Sequence, residues 1–400
     1  MISYLHGLSR DHRITLITLE KPEDRADAGA MARARRDCEA HGIDWRPHPF
    51  YGRPRLLAPA WSQLAMSAAV LRMARSEDAG LIHARSYLPA GVAWFVRRLT
   101  GTPFIFDMRA LWPEEMITAG RLKRGSILHR MLQRLERLCL RDAAAVVSLT
   151  EAAVDYLKER YPEELAGQRI RVIPTCANLE RFTPSNEPSQ HRVYGCVGTV
   201  LSGWFRVEWL SAFFRAMARN QPDARFEVVT RDDPDAVRAR LDPKNEIANL
   251  SIFASPHERV HEVVRRQVAS AMFYAGGEVS ELGRSPTRMA EVLGCGVPVI
   301  ANDGVGDVAR IIRRYRVGVI VEDGSDAAMD KAVDELERLR QDPDLAARCR
   351  RAAEEVFSLH RGTEAYRALY DEILGRDRDP SVQDEPDVDS APAAEDRVTI

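Results

Sequence analysis

Short runs of apolar, often β-branched residues alternate along the chain with longer segments in which apolar residues recur at helical spacing. In the first part of the chain, the apolar runs predict strands at 14–18, 81–84, 103–106, 145–149 and 170–173. The amphipathic segments between them, such as 57–75 and 127–140, predict helices. Continuously apolar strands separated by helices are typical of a parallel sheet with helices on both faces.

A polar stretch at 183–191 has the composition of a linker and separates this pattern from a second one. The second pattern predicts strands at 194–197, 226–230, 250–253, 269–274, 297–301 and 317–321. The sequence therefore predicts an α/β protein with two doubly wound domains, at 1–184 and 185–356. Ligands of such sheets bind at the carboxyl ends of the strands, so we expect the functional residues at strand ends, facing a cleft between the domains.

The two ends of the chain depart from this pattern. A doubly wound domain ordinarily begins with a strand, whereas residues 1–10 resemble a helix that precedes the strand at 14–18. Either the first strand of this domain is missing, or it lies upstream of the sequence. Residues 376–400 are acidic, rich in proline and aspartate and almost free of large apolar residues, which predicts a disordered tail.

Composition narrows the functional class. The 400 residues carry a formal net charge of −2, which gives no overall attraction to nucleic acid. Six cysteines are scattered without a Cys-x-x-Cys pair, so we expect reduced thiols rather than disulfides or a zinc site. The sequence contains no uninterrupted apolar window of about 18 residues, and the charged residues at 10–13 interrupt any signal peptide. We therefore expect a cytoplasmic protein.

The most informative segment is 280–302, which leads from one predicted strand into a helix at 286–293. Ser285 is predicted to be the N-cap of this helix and Pro286 its first residue. The free N–H groups of a helix N-terminus, together with the helix dipole, favour a bound anion. The segment therefore predicts an anion site at the start of this helix.

Charged side chains in the same segment suit a nucleotide. Arg284 and Arg288 supply donors that match a diphosphate. Glu291 lies further along the helix, where a carboxylate can accept hydrogen bonds from both hydroxyls of a ribose. An ordinary capped helix with surface arginines is the alternative explanation of these residues.

The pattern Ser-Pro-Thr-Arg-x-x-Glu-x-x-x-Cys-Gly-Val-Pro-Val-Ile-Ala at 285–301 is similar to the donor-site segment of family 4 retaining glycosyltransferases of GT-B fold. Residues 172–184, VIPTCANLERFTP, resemble the interdomain segment of that family. Residues 195–198 resemble the first strand and glycine turn of its donor domain. The final segment, 357–375, resembles the terminal helices that cross back to the first domain. The likeness spans roughly residues 4–374.

The resemblance implies a donor site in the second domain. In the family, the glutamate that matches Glu291 holds the donor ribose, and the start of its helix holds the diphosphate. Arg206 follows the glycine turn and is a candidate for a donor-binding arginine that many members have there. Many members also carry a glutamate eight positions before Glu291, where this sequence has Gly283. The predicted donor-binding residues are Gly198, Arg206, Arg284, Ser285, Pro286, Thr287, Arg288 and Glu291.

Candidate catalytic residues follow two predicted strands of the first domain. Residues 106–115, FDMRALWPEE, resemble the RDLWPE segment of a subgroup that makes bacterial surface polysaccharides. Asp107 is expected to bind a sugar hydroxyl and Arg109 a phosphate or acid group; a structural Asp–Arg pair is the alternative. His83 ends the neighbouring predicted strand, where it either contacts the substrate or has a structural role.

Arginines and leucines alternate over 121–141, which predicts a basic amphipathic helix. Such a helix can lie on anionic lipid. Alternatively, its apolar side packs on the sheet and its arginines are simply solvated. Peripheral contact with the inner face of a membrane is therefore one of two options for this helix.

These features together predict a hexosyl- or N-acetylhexosaminyl-transferase that moves a sugar from a nucleoside diphosphate donor to a glycan or a lipid-linked saccharide. The resemblance implies retention of the anomeric configuration. No Asp-x-Asp motif is placed to hold a metal, so we expect a metal-independent reaction with no cofactor besides the donor substrate. Two alternatives remain: a non-hydrolysing nucleotide-sugar 2-epimerase, and a non-catalytic partner subunit of the same fold.

Overall fold

The computed structural model describes residues 2–50, 57–76, 79–185, 192–376 and 397–399. The chain forms two compact units. The first unit contains Met1–Ser148, Asp155–Ile173 and His360–Ile400, and the second contains Leu149–Val154 and Pro174–Leu359. The chain therefore changes unit ahead of the predicted linker at 183–191, and its last part belongs to the first unit.

A seven-stranded parallel sheet forms the centre of the first unit. Its strands are β1 (Arg13–Glu20), β2 (Asp44–Pro49), β3 (Ala79–Arg85), β4 (Phe104–Met108), β5 (Ala145–Ser148), β6 (Ile170–Val172) and β13 (Arg397–Thr399). They lie in the order β2-β1-β13-β3-β4-β5-β6. All five strands predicted for this part of the chain are present. Residues 104–108 of β4 are buried on both faces, as expected for a central parallel strand.

Helices connect and cover the strands of this sheet. They are α1 (Ile2–Leu8), α2 (Pro22–Ala26), α3 (Ala28–Ala40), α4 (Leu57–Ser76), α5 (Tyr87–Thr100), α6 (Trp112–Thr118), α7 (Ile127–Asp142), α8 (Glu151–Arg160) and α17 (Leu359–Leu374). α7 begins after Ser126, whose hydroxyl accepts a hydrogen bond from the backbone N–H of His129 at 3.2 Å. α5 ends at Thr100 and is capped by Gly101, where a φ of 82° places the backbone in the left-handed region that favours glycine.

The end of the chain forms a strand where a disordered tail was predicted. β13 runs parallel to β1 and β3 and lies between them, with Val398 paired to Ile14 on one side and to Leu81 on the other. The prediction of disorder is therefore wrong for Arg397–Thr399, while residues 377–396 lie outside the described residues. The physical reason is that β1 and β3 need partners for their facing backbone groups, and the β-branched residues of β13 suit a strand.

The second unit contains a six-stranded parallel sheet in the order β12-β11-β10-β7-β8-β9. Its strands are β7 (Val193–Val197), β8 (Arg225–Val229), β9 (Leu250–Phe253), β10 (Gln267–Met272), β11 (Val299–Asn302) and β12 (Gly318–Val321). Its helices are α9 (Val207–Asn220), α10 (Pro234–Leu241), α11 (Val260–Val264), α12 (Val279–Leu282), α13 (Thr287–Gly294), α14 (Val308–Tyr315), α15 (Asp326–Leu339) and α16 (Leu345–Phe357). All six strands predicted for this half are present. The two parallel α/β units confirm the predicted fold class.

Aromatic side chains fill the core of the second unit. Phe213 and Phe214 of α9 are fully buried, and the ring of Phe214 lies 4.9 Å from that of Phe226 in β8. The apolar face of α9 is therefore fixed on the sheet of the second unit. In the described part of the chain, no helix combines the length and apolar character that crossing a membrane requires.

Candidate functional site

The helix at the centre of the predicted donor site starts one residue later than expected. Pro286 is the N-cap of α13, and the exposed Thr287 is its first residue. The hydroxyl of Ser285 accepts a hydrogen bond from the backbone N–H of Thr175 at 3.1 Å instead of capping the helix. The predictions of Ser285 as N-cap and Pro286 as first helical residue are therefore wrong. Ser285 lies one position too early to cap the helix, and its side-chain oxygen instead accepts the hydrogen bond from Thr175.

Three of the predicted site arginines gather around Tyr274, two residues beyond the end of β10. The Nε of Arg206 donates to the carbonyl oxygen of Tyr274 at 2.9 Å. The guanidinium groups of Arg284 and Arg288 lie 5.5 and 5.4 Å from the centre of the Tyr274 ring. Sequence reasoning missed Tyr274 itself. The available signal was an aromatic residue at a strand end, directly before the glycine-rich loop that starts at Gly276.

Arg288 has donor capacity that the protein does not use. Its Nη2 donates to the carbonyl oxygen of Thr199 at 3.3 Å, and its guanidinium stacks 5.6 Å from the ring centre of Phe205. Its Nη1 is buried and has no hydrogen-bond partner among the described residues. Buried donors in native proteins are almost always satisfied, so this nitrogen is available to donate to a ligand or a water molecule.

Gly198 makes room for Arg288. It follows β7 with a φ of 100°, which favours glycine, and its N–H donates to the carbonyl oxygen of Val229 at 2.8 Å. A Cβ at this position would lie 2.4 Å from Nη2 of Arg288. The glycine turn therefore lets the guanidinium lie against the backbone at the end of β7.

Glu291 follows Arg288 by three residues and faces the same side of α13. Burial raises the pKa of Glu291 to about 7, against the opposing charges of Arg288 and Arg181. The group is therefore poised to change protonation near neutral pH. A ligand that donates hydrogen bonds to the ionised carboxylate will favour that form.

The guanidinium groups of the other two arginines, Arg206 and Arg284, already donate hydrogen bonds to protein groups. Arg284 makes two hydrogen bonds to Glu281, at 2.6 and 2.8 Å, and Glu281 is completely buried. Arg206 donates to the carbonyl oxygens of Tyr274 and Gly276, which holds the loop after β10. The role of Glu281 as the partner of Arg284 was not predicted from the sequence. Of the three arginines, Arg288 is the one whose free donor makes it best suited to an anionic ligand.

In the first unit, the predicted catalytic residues His83 and Asp107 form a buried cluster. Nε2 of His83 donates to Oδ2 of Asp107 at 3.1 Å, because an ionised carboxylate can only accept. Arg85 and the hydroxyl of Tyr366 donate to the same oxygen, each at 3.1 Å. Burial alone would raise the pKa of Asp107, but hydrogen bonds from His83 and Tyr366 and the charges of His83 and Arg85 hold it below its ordinary value.

His83 and Asp107 were expected to be accessible at the edge of the sheet, but both are buried. Asp107 is 0% exposed and His83 is 1% exposed. Arg109 is exposed and is not the ion-pair partner of Asp107, since Arg85 takes that position. Parallel pairing of β3 and β4 places Arg85 directly beside Asp107, which explains the exchange. The cluster joins β3, β4 and α17, and a catalytic role for Asp107 or His83 stays a prediction.

Tyr366 and Tyr370 complete this cluster and were missed by sequence reasoning. They lie one turn apart on α17, and the hydroxyl of Tyr370 is 2.6 Å from Nδ1 of His83. The signal was a pair of tyrosines at i and i+4 on the apolar face of the last helix. A phenol at such a position needs a polar partner when it is buried.

An apolar cavity opens beside the buried cluster. Its volume is about 360 Å³, and its walls come from β1, β3, α1, α4 and α5. The lining is almost entirely apolar, and Arg85 contributes a partly exposed guanidinium. This part of the first unit can therefore take an apolar group next to a cation.

Family comparisons match both parts of the chain. A model described as "Glycosyl transferase 4-like domain" matches residues 3–176, and one described as "Glycosyl transferases group 1" matches residues 236–356. Together with the fold, they show that the chain is a glycosyltransferase of GT-B fold. It carries a glycosyl transferase 4-like domain followed by a glycosyl transferases group 1 domain. No protein with a curated description matches the sequence.

Solved structures share the fold at low sequence identity. A glycosyltransferase from Rickettsia africae superposes with a TM-score of 0.64 at 14% identity, covering 92% of this chain and 100% of that chain. Sucrose-phosphate synthase from Thermosynechococcus elongatus gives 0.63 at 16% identity, covering 91% and 99%. The Anabaena protein Alr3699/HepE, in complex with UDP and glucose, gives 0.59 at 14% identity, covering 90% and 99%.

Proposed function

We propose that this glycosyltransferase uses a nucleoside diphosphate sugar, bound in the second unit with Arg288 on the diphosphate and Glu291 on the ribose. The observation that carries the proposal is the buried Nη1 of Arg288, which has no acceptor within the described residues. A diphosphate oxygen supplies that acceptor as a charge-assisted hydrogen bond. The Anabaena structure holds UDP and glucose, so UDP-glucose is the first donor to test.

Arg288 would act on the leaving group. As the bond between sugar and diphosphate breaks, negative charge grows on the phosphate oxygens and positive character grows at the sugar carbon. A fixed guanidinium beside the phosphate stabilises that charge without reorganisation. Contacts with the rings of Phe205 and Tyr274 hold the planar guanidinium of Arg288 in place. The transfer is proposed to retain the anomeric configuration.

The acceptor is assigned to the first unit. Its cavity of about 360 Å³ has apolar walls and one guanidinium, that of Arg85. An acceptor with an apolar part and an anionic group suits such walls better than a plain saccharide does. We therefore favour a lipid-linked saccharide over a free glycan. The exposed Arg109 is a second cation available to an acidic acceptor.

A donor screen tests this function. The protein is heated with UDP-glucose, UDP-N-acetylglucosamine and the corresponding GDP-, ADP- and dTDP-sugars, and the melting temperature is followed. A true donor is expected to raise the melting temperature, because binding to the folded state stabilises that state. The best donor is then incubated with lipid-linked saccharides, and NMR gives the anomeric configuration of the product.

The same screen separates the alternatives. Conversion of UDP-N-acetylglucosamine without an acceptor would identify a 2-epimerase. Donor binding without hydrolysis or transfer would identify a non-catalytic partner, which the burial of His83 and Asp107 makes the stronger rival. If no nucleotide sugar shifts the melting temperature, the donor assignment is wrong.

Donor affinity is expected to rise with pH through neutrality. Because burial raises the pKa of Glu291 to about 7, most of this group is protonated at pH 6 and ionised at pH 8. If the ribose hydroxyls donate to the ionised form, affinity for UDP-glucose falls about tenfold between pH 8 and pH 6. UDP-glucose is preferred to UDP for this measurement because a terminal phosphate titrates near pH 6.

Two controls accompany the pH titration. Glu291→Gln should bind UDP-glucose more weakly and with no pH dependence, since the amide does not titrate. The unliganded protein should lose stability as pH rises from the ordinary glutamate value of 4.5 to about 7, because the folded state favours the protonated form. A wild-type pH slope that persists in Glu291→Gln would remove this carboxylate from the donor site.

A further inference from the structure

Exposed large apolar side chains cluster on helices of the first unit. Within the described residues, all of them belong to the first unit, and all but Ile2 lie on α4, α5 and α7. Trp61 and Leu64 of α4 are 64% and 63% exposed, and Ile127 and Met131 of α7 are 71% and 63% exposed. A soluble protein seldom gathers such residues on neighbouring helices without a partner for them.

The exposed residues of α5 and α7 flank the contact between these helices. A Cβ on Gly91 of α5 would lie 3.3 Å from the side chain of Leu135 on α7. Leu88 and Phe95 lie three residues before and four residues after Gly91, so they share its side of α5. Met131 lies four residues before Leu135 and shares its side of α7. The two helices therefore present one continuous apolar surface.

Arginines border this apolar surface. Arg130, Arg134, Arg137 and Arg141 are spaced along one side of α7 and line a cavity of about 570 Å³ with Arg160. Arg137 pairs with Glu164 at 3.5 Å, and Arg141 pairs with Asp142 at 2.8 Å. Arg130 and Arg134 are exposed and lie nearest to Ile127 and Met131 along the helix. A strip of positive charge thus runs beside a strip of apolar side chains.

We propose that this surface binds an anionic phospholipid bilayer. We call it the docking face and define it by Leu88, Phe95, Ile127, Met131, Arg130 and Arg134. A bilayer interface offers both things that the face requires: phosphate groups for the guanidiniums and acyl chains for the apolar side chains. Nucleic acid would satisfy the arginines but leave Ile127 and Met131 in water. The proposal is independent of the donor assignment.

A second copy of the chain fits the face less well than lipid does. It would bring its own exposed arginines towards those of the first copy, and like charges held close together oppose association. Acidic headgroups instead attract basic residues near the surface. The chemistry on the face therefore selects a negatively charged lipid surface.

Vesicle sedimentation tests the proposal on the full chain. Vesicles of phosphatidylcholine with about one third phosphatidylglycerol are compared with vesicles of phosphatidylcholine alone, in about 0.15 M salt, a physiological ionic strength. The protein is expected to bind the anionic vesicles and to bind the neutral vesicles far less. The double variant Arg130→Gln, Arg134→Gln should lower partitioning about 30-fold, because each basic residue near the surface contributes roughly a fivefold factor.

Matched variants make the result specific. Ile127→Asp with Met131→Asp should likewise weaken binding, whereas Arg338→Gln with Arg351→Gln, two exposed arginines of the second unit, should leave it unchanged. All variants should keep the wild-type melting temperature and nucleotide affinity. Equal binding to neutral and anionic vesicles, or wild-type binding by the docking-face variants, would overturn the proposal. Dimerisation in sedimentation velocity that is lost in the Ile127 and Met131 variant would also overturn it in favour of self-association.

Discussion

Replacing Asp107 by alanine is expected to destabilise the first unit strongly. The change removes the shared acceptor of His83, Arg85 and Tyr366, and it leaves the buried donors of His83 and Tyr366 without this hydrogen bond. Loss of one member of a buried ion pair costs about 3–5 kcal/mol of the free energy of unfolding. For a unit of this size, that cost corresponds to a fall in melting temperature of about 6–20 °C, measurable by scanning calorimetry.

The neighbouring Arg109 provides the matched control. Arg109 is exposed, so Arg109→Ala should change the free energy of unfolding by no more than about 0.5 kcal/mol. Asp107→Asn keeps the side-chain volume and an acceptor oxygen but loses the charge. Its melting temperature should therefore lie between that of the Asp107→Ala variant and that of the wild type. An Asp107→Ala protein that melts like the wild type but transfers no sugar would instead make Asp107 a catalytic residue.

Replacing Arg288 by alanine is expected to have the largest effect on donor binding. Hydrogen bonds to charged groups contribute about 1.5–3 kcal/mol, which corresponds to a rise in Kd of about 10- to 150-fold. Isothermal titration with UDP and UDP-glucose measures this change. Arg288→Lys keeps the charge but loses the planar stacking on Phe205 and Tyr274, so an intermediate loss of affinity is expected.

Other arginines show whether the effect is specific to Arg288. Arg338→Ala on the exposed side of α15 should leave nucleotide affinity unchanged. Arg284→Ala should reduce stability more than affinity, because it leaves the buried Glu281 without its partner. If Arg288→Ala binds nucleotide like the wild type and keeps a native melting temperature, the diphosphate is held by other residues.

The pattern of apolar residues was sufficient to predict the central strands of both sheets, because these strands are buried on both faces. β2 was not predicted, since Asp44–Pro49 contains two prolines and only half-buried side chains. Such a sequence is compatible with a strand only at the edge of a sheet, and β2 lies at that edge. β13 was missed because a three-residue strand carries too little periodicity to be recognised.

Local motifs predicted which residues gather in the second unit, but not what each one contacts. Gly198 and Arg288, both predicted to bind the donor, lie in contact with each other. The pairing of Arg284 with Glu281 was not foreseen, because two side chains three residues apart meet only when the loop between them turns suitably. Likewise, the position of Asp107 after a strand predicted exposure, whereas Tyr366, 259 residues later in the chain, covers it.

The first unit is assembled from both ends of the chain, which sets the order of events on the ribosome. The second unit is nearly continuous, from Pro174 to Leu359, and can fold as soon as that stretch has emerged. The partners of His83 and Asp107 on α17 emerge only afterwards, and β13 emerges last. At about 5–20 residues per second, the earlier strands wait roughly 10–40 s for them. During that interval their apolar surfaces are exposed, so we expect the first unit to be prone to aggregation until α17 and β13 have emerged.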